Sequence, residues 1–137
     1  MITFPKHINR ILVTGGSGFI GGNLVRRLLQ ETTTKVFNID KLGYASTFNI
    51  VDSNLDFRRY KLFNIDLINV KDIRNTIDII DPDIVFHLAA ESHVDRSIEG
   101  PETFLNSNVI GTFNLLQAIR LHWEKLTSER KQSFRFV

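Results

Sequence analysis

The stretch Arg10-Ile11-Leu12-Val13-Thr14-Gly15-Gly16-Ser17-Gly18-Phe19-Ile20-Gly21-Gly22 leaves this chain few ways to fold. Ile11, Leu12 and Val13 form a short apolar run of the kind that makes a buried strand. A glycine-rich turn follows. Residues 23–30 then continue a helix that begins near Gly18, with Ile20, Leu24 and Leu28 at helical spacing. Strand, glycine turn and helix in this order make the first half of a βαβ unit of the kind that holds a dinucleotide. Glycine lets the backbone approach a pyrophosphate with no Cβ in the way, and the helix start aims unsatisfied N–H groups at it. Two glycine registers overlap: Gly16, Gly18 and Gly21, or Gly15, Gly18 and Gly21.

Composition narrows the class. A chain of 137 residues is one domain with a sizeable core, and 42% hydrophobic with 23% charged residues is ordinary for a globular protein. The net charge of +2 does not argue for nucleic acid; Arg26-Arg27 and Arg58-Arg59-Lys61 read as solvated faces and not as a binding stripe. The absence of cysteine excludes disulfides and thiolate metal sites, and no metal-ligand cluster is expected. No run approaches the ~18 apolar residues of a membrane helix, and the first residues lack a signal-peptide core, so a cytoplasmic protein with no membrane partner is expected.

In chain order, residues 35–40 read as a second strand ending at Asp40, about twenty residues beyond the glycines. A carboxylate there accepts hydrogen bonds from an adenosine ribose and repels a 2′-phosphate, favouring NAD over NADP; the alternative is a turn or capping acid. Residues 41–56 form an irregular connection with a short helix around 47–51. Residues 57–63 are expected as a third strand, followed by Asp66, either a turn acid or a neighbour of adenine. Asn69 is placed to cap a helix over 70–80, with Asp72 near its positive end and Asp81-Pro82-Asp83 as its stop. The apolar run 84–90 suits a central parallel strand. His93 and Asp95, two residues apart without a third ligand, read as structural rather than catalytic. Gly100-Pro101 opens a long helix, striped by Leu105, Val109, Thr112 or Phe113, Leu116, Ile119 and Trp123. Phe104, Phe113 and Leu115 widen that stripe enough to meet another subunit. Residues 125–132 read as a charged loop and 133–137 as the start of a fifth strand. The pattern predicts an α/β fold, a Rossmann-type doubly wound parallel sheet in the order 3-2-1-4-5.

These segments resemble the extended short-chain dehydrogenase/reductase group, and within it the dTDP-glucose 4,6-dehydratase family, from about Arg10 to Phe136. The pieces that carry the resemblance are residues 14–21, Asn38-Ile39-Asp40-Lys41-Leu42, Phe134-Arg135-Phe136 and His87-Leu88-Ala89-Ala90-Glu91-Ser92-His93-Val94-Asp95-Arg96-Ser97-Ile98. The resemblance implies cofactor contacts at Gly15, Gly18, Phe19, Ile20 and Gly21 for the pyrophosphate. It implies Asp40, Lys41, Leu42 and Gly43 for the adenosine ribose, and Asp66 and Leu67 for the adenine. Leu88, Ala89, Ala90 and Glu91 would run along the cofactor, with Ser107 at a position usually held by Thr. Ser92 would also reach the sugar of the substrate. Gly22, Gly43 and Leu67 depart from the residues usual in the family.

The resemblance further implies NAD as a recycled cofactor for removing water from dTDP-glucose to give the 4-keto-6-deoxy sugar. The family's Ser-Thr-Asp-Glu-Val-Tyr segment and its Tyr-x-x-x-Lys pair are not in this sequence, so no catalytic residue is assigned and the chain alone is expected to be inactive. Residues 1–137 are therefore expected to be an incomplete NAD-binding domain, without the substrate domain. Alternatives are another NAD-dependent sugar-nucleotide epimerase or decarboxylase, or a non-catalytic dinucleotide-binding module. A homodimer through the 101–123 helix is also expected.

Overall fold

The computed structural model describes residues 4–5, 8–43, 46, 56–92, 98 and 100–137. β1 (Arg10–Thr14) occupies the middle of a five-stranded sheet in the order β3-β2-β1-β4-β5, the order expected from the sequence. It pairs with β2 (Lys35–Asp40) from Arg10↔Lys35 to Thr14↔Ile39, and with β4 (Ile84–His87) from Ile11↔Ile84 to Thr14↔His87. β3 (Tyr60–Asn64) lies outside β2 and β5 (Arg135–Phe136) outside β4, all pairs parallel. Every strand therefore ends at the same edge, where a crevice can open.

Alternation along β1 divides the core. Ile11 and Val13 pack with Val25, Leu28 and Leu29 of α1 (Phe19–Glu31). Leu12 packs on the other face with Ile73, Ile77 and Ile80 of α2 (Val70–Ile80) and Leu115, Ala118 and Ile119 of α4 (Thr112–Lys125). A strand covered on both faces has no polar side, which is why 11–13 reads as an unbroken apolar run. Asn69 caps α2 by accepting from the Asp72 amide, as expected, and Asp81 ends it in a left-handed conformation at φ 49°.

Several boundaries differ from the sequence expectation. The segment 57–63 is not all strand: Phe57–Arg59 is a 3-10 turn, held by Arg59 N–H on the Asp56 carbonyl and Arg58 N–H on its carboxylate, and β3 starts at Tyr60. β4 stops at His87 instead of reaching 90: Leu88 N–H still bonds the Thr14 carbonyl, but Ala89 N–H leaves the ladder for the Thr14 hydroxyl. The charged loop at 125–132 is largely helix: Thr127 caps α5 (Ser128–Ser133) by accepting from the Arg130 amide. The helix expected over 101–123 consists of α3 (Pro101–Phe104), a π-helical stretch (Leu105–Gly111) and α4, running on to Lys125. Most of its expected stripe faces outward, with Leu105, Val109, Phe113, Leu116 and Trp123 exposed; Ile119 of that stripe is buried, on a face that also carries Asn114, Leu115, Ala118 and His122. In α1, likewise, Ile20 is exposed and Val25 and Leu29 join Leu28 in the core. The expected short helix at 47–51, and His93 and Asp95, lie outside the described residues.

Candidate functional site

The glycine turn joins β1 to α1 under tight steric limits. Gly15 has φ +72°, and a Cβ there would lie 2.6 Å from the Ala89 amide nitrogen. Gly15 C=O accepts from Gly18 N–H at 3.1 Å, and a Cβ on Gly21 would run into that same carbonyl. Gly16 instead packs on β2, where a Cβ would sit 2.5 Å from Asn38 Oδ1. Gly15, Gly18 and Gly21 thus shape the turn, and Gly16 serves its contact with β2. Gly18 differs from the others: a methyl there would touch only the Gly15 carbonyl, at an ordinary 3.4 Å. Packing does not demand glycine at that point; it leaves the wall of a cleft clear.

Gly18 is also the N-cap of α1, without a side-chain cap. The first helical bond runs from Gly22 N–H to Gly18 C=O at 2.8 Å. The amides of Phe19, Ile20 and Gly21 therefore stand ahead of the helical ladder, a natural seat for an anionic group.

The cleft lies over the carboxyl ends of the strands with about 690 Å³ of empty space, part of it open to solvent, and Gly15 and Gly18 form one wall. At the end of β2, Asp40 lines it while only 9% exposed. Asp40 Oδ2 accepts from Ser17 N–H at 2.9 Å, and Oδ1 accepts from Leu42 N–H at 2.8 Å and the Ser46 hydroxyl at 3.3 Å. Leu42 sits at φ 55°, held by that amide bond. Lys41 reaches across the strand ends, with Nζ 2.6 Å from Glu91 Oε1 and 2.9 Å from Ser107 Oγ.

The opposite wall is the outlet of β4, with Leu88, Ala89, Ala90 and Glu91. Beneath it, Thr14 Oγ1 accepts from Ala89 N–H at 3.3 Å and lies 2.6 Å from His87 Nδ1, while His87 Nε2 lies 2.9 Å from Thr112 Oγ1. Each ring nitrogen of His87 thus has a threonine hydroxyl as its partner. Burial pushes the His87 pKa down, which favours the neutral imidazole. The π-helical stretch faces this outlet: Asn108 accepts from Glu91 N–H at 2.8 Å and donates to its carbonyl at 2.9 Å. Such stretches recur at functional sites.

The floor toward β3 is Asp66 and Leu67. Asp66 accepts from Ile68 N–H at 3.1 Å, so it both shapes the turn into α2 and lines the cleft. Buried Asn114 of α4 donates to the Leu67 carbonyl at 3.1 Å and holds this wall in place.

Of the residues anticipated from the sequence, Gly15, Gly18, Asp40, Lys41, Gly43, Asp66, Leu67, Leu88, Ala89, Ala90, Glu91 and Ser107 come together around one cleft. Phe19, Ile20, Gly21, Leu42 and Ser92 are not among its lining residues. Phe19 and Ile20 point their side chains to solvent, leaving their amides as the groups that could contact a ligand. Sequence reasoning missed Ile39, Ser46 and Ile65 in the lining, and Asn38, Asn108 and Asn114 behind it. A polar residue inside an apolar strand run was the available signal for Asn38. Among the described residues there is no cluster able to hold a metal ion, and no helix long and apolar enough to cross a membrane.

Comparison with known proteins agrees with this geometry. The chain is 42% identical over 127 residues to the dTDP-glucose 4,6-dehydratase of Salmonella typhimurium (strain LT2), covering 93% of this chain and 35% of that protein. Its fold matches the crystal structure of dTDP-glucose 4,6-dehydratase from Bacillus anthracis in complex with NAD, with a TM-score of 0.71 and 34% identity over 85% of this chain and 34% of that one. It also matches the UDP-glucose 4-epimerase of Thermotoga maritima with UDP-glucose, with a TM-score of 0.72 and 28% identity over 82% of this chain and 34% of that one. The chain thus spans about a third of the length of these relatives. The family model described as GDP-mannose 4,6 dehydratase matches residues 12–137, and the chain belongs to that family.

Proposed function

We propose that the cleft binds NAD and that residues 1–137 are the NAD-binding portion of a dTDP-glucose 4,6-dehydratase. The observation that carries this reading is the junction of two features in one cleft: an uncapped α1 N-terminus cleared by Gly18, and Asp40 at the end of β2. The pyrophosphate would lie on the Phe19, Ile20 and Gly21 amides. The adenosine ribose would meet Asp40 and Lys41, and the adenine the Asp66–Leu67 wall. The small side chains of Ala89 and Ala90 would let the rest of the cofactor lie close to the β4 outlet, with Ser92 toward the sugar.

When bound, NAD supplies a hydride acceptor at C4 of the sugar that is regenerated after water leaves across C5 and C6. This chain's own residues bind and orient it. His87, kept neutral, anchors the β4 outlet to α4 through Thr112 without adding charge beside the cofactor. The dehydratase reading is preferred to an epimerase because identity to the dehydratases is the higher. The reading includes a cytoplasmic setting, where a free dinucleotide pool is available. It also includes a homodimer built on the outward stripe of Leu105, Val109, Phe113, Leu116 and Trp123.

Titration with NAD and NADP tests the assignment. NAD should bind more tightly; equal or tighter NADP binding would overturn the role of Asp40. Incubating this chain with dTDP-glucose and NAD should give no 4-keto product, because no residue here is assigned as acid or base. Turnover by the chain alone would overturn that part.

A further inference from the structure

Asn38 is a polar residue in the middle of a buried strand, wholly inaccessible to solvent. Burying a carboxamide is unfavourable unless its bonding groups are matched, and here they are matched by the turn. Oδ1 accepts from Gly16 N–H at 2.9 Å, and Nδ2 donates to Ser17 Oγ and to the Tyr60 hydroxyl, each at 3.1 Å. Two residues along the same face of β2, Asp40 accepts from Ser17 N–H. Alternate side chains of one strand thus hold the two consecutive amides that lead into Gly18. The fit is close, since the Asn38 carboxamide occupies the space where any Cβ on Gly16 would have to go.

We propose that Asn38 is a positioning residue for phosphate binding: by drawing Gly16 and Ser17 onto β2 it sets the direction in which the free amides of Phe19, Ile20 and Gly21 meet the diphosphate. This rests on the cleft being the NAD site. Asn38 does not line the cleft and touches no ligand. It acts on the phosphates through the turn; the adenine wall at Asp66 and Leu67 lies beyond its contacts, and Asp40, at the ribose, keeps its bonds from Leu42 N–H and the Ser46 hydroxyl. Its loss should therefore weaken ligands that carry a diphosphate and spare those that do not.

The test compares ADP and adenosine binding to this chain by calorimetry or equilibrium dialysis, in wild type, Asn38→Leu and Gly16→Ala, with thermal melts alongside. Wild type should prefer ADP. In Asn38→Leu the ADP affinity should fall about tenfold, as for one to two hydrogen bonds, with adenosine affinity within twofold of wild type. Gly16→Ala, which expels the carboxamide from the other side, should show the same selective loss and serves if Asn38→Leu does not fold. Tyr60→Phe, which removes only the partner outside the turn, should lower the melting temperature and keep the ADP-to-adenosine ratio. An equal loss for both ligands, an unchanged ADP affinity, or a Tyr60→Phe effect as large as that of Asn38→Leu overturns the proposal while leaving the NAD site intact. Wild type that binds neither ligand overturns both.

Discussion

At Asp40 the carboxylate already has three donors of the protein's own: Ser17 N–H, Leu42 N–H and the Ser46 hydroxyl. The two readings open in the sequence, a turn-capping acid and a ribose acceptor, therefore meet in one side chain. A ribose would take the remaining acceptor capacity, displacing the 3.3 Å bond from Ser46 at little cost. Asp40→Asn keeps an oxygen for the turn and removes the charge, so NAD affinity should fall by less than Asp40→Ala, which should lose about 1–3 kcal/mol. Asp40→Asn should also bring NADP closer to NAD, and titration of both dinucleotides reads out each effect. Two histidines supply a pH dependence. Burial lowers the pKa of His87 and of His122, which lies in α4 against the Pro82 carbonyl. A histidine harder to protonate when folded means that the unfolded chain takes up more protons below its pKa of about 6.5. Stability is then fully present above that pH and lost as pH falls toward the depressed folded values, by at most about 1.4 kcal/mol per unit for each group. His122→Gln should flatten the melting temperature against pH as pH falls below about 6.5.

The elements show why part of this fold was readable and part was not. β1, β2, α2 and β4 obey simple periods because each meets the core in one way, and their order follows from right-handed crossovers. The long helix does not obey them. It has apolar residues on two faces, and nothing in the spacing says that Leu115 turns in and Leu116 out. α5 was hidden because a six-residue helix rich in Lys, Arg and Glu has no apolar stripe; its anchor is Arg130, which binds Asp81 and Asp83. At the site, Asp40 and the glycines were legible because their chemistry is local. Asn38, Asn108 and Asn114 were not, since each acts through a partner distant in sequence. Arg59 is another such residue. Its guanidinium donates to the carbonyls of Leu29, Thr32 and Thr34, closing the end of α1. Lysine lacks the fork to serve three carbonyls, so Arg59→Lys should lower stability by about 1–2 kcal/mol in a urea titration.

Across the whole molecule, ligand cleft and charge network occupy opposite edges of the sheet. At the amino ends of β1 and β4, buried Asp83 accepts from the amides of Asn9 and Arg10 and pairs with Arg130, while Arg10 pairs with Asp81. Removing Asp83 leaves the amides of Asn9 and Arg10 without their acceptor and Arg130 with Asp81 as its carboxylate partner, so Asp83→Ala should cost about 2–4 kcal/mol. Chemical denaturation measures this, and ADP affinity in the folded fraction should stay as in wild type. The outward stripe of the long helix leaves large apolar side chains exposed, and it is the surface proposed above for a homodimer. Light scattering across a concentration series should show Phe113→Lys less associated than wild type. Phe134 of the β5 approach, by contrast, packs partly into the core, so a charge there would test folding instead.

The contact of Lys41 with Glu91 and Ser107 ties the end of β2 to the far side of the cleft. A dinucleotide lying along the strand ends would have to cross that line, so entry would require the tie to part and exit would be delayed while it holds. Electrolyte weakens an ion pair with an exposed lysine. The on-rate for NAD should then rise with added salt, the reverse of what attraction of an anionic ligand to a cationic site would give. In Lys41→Met that rise should vanish.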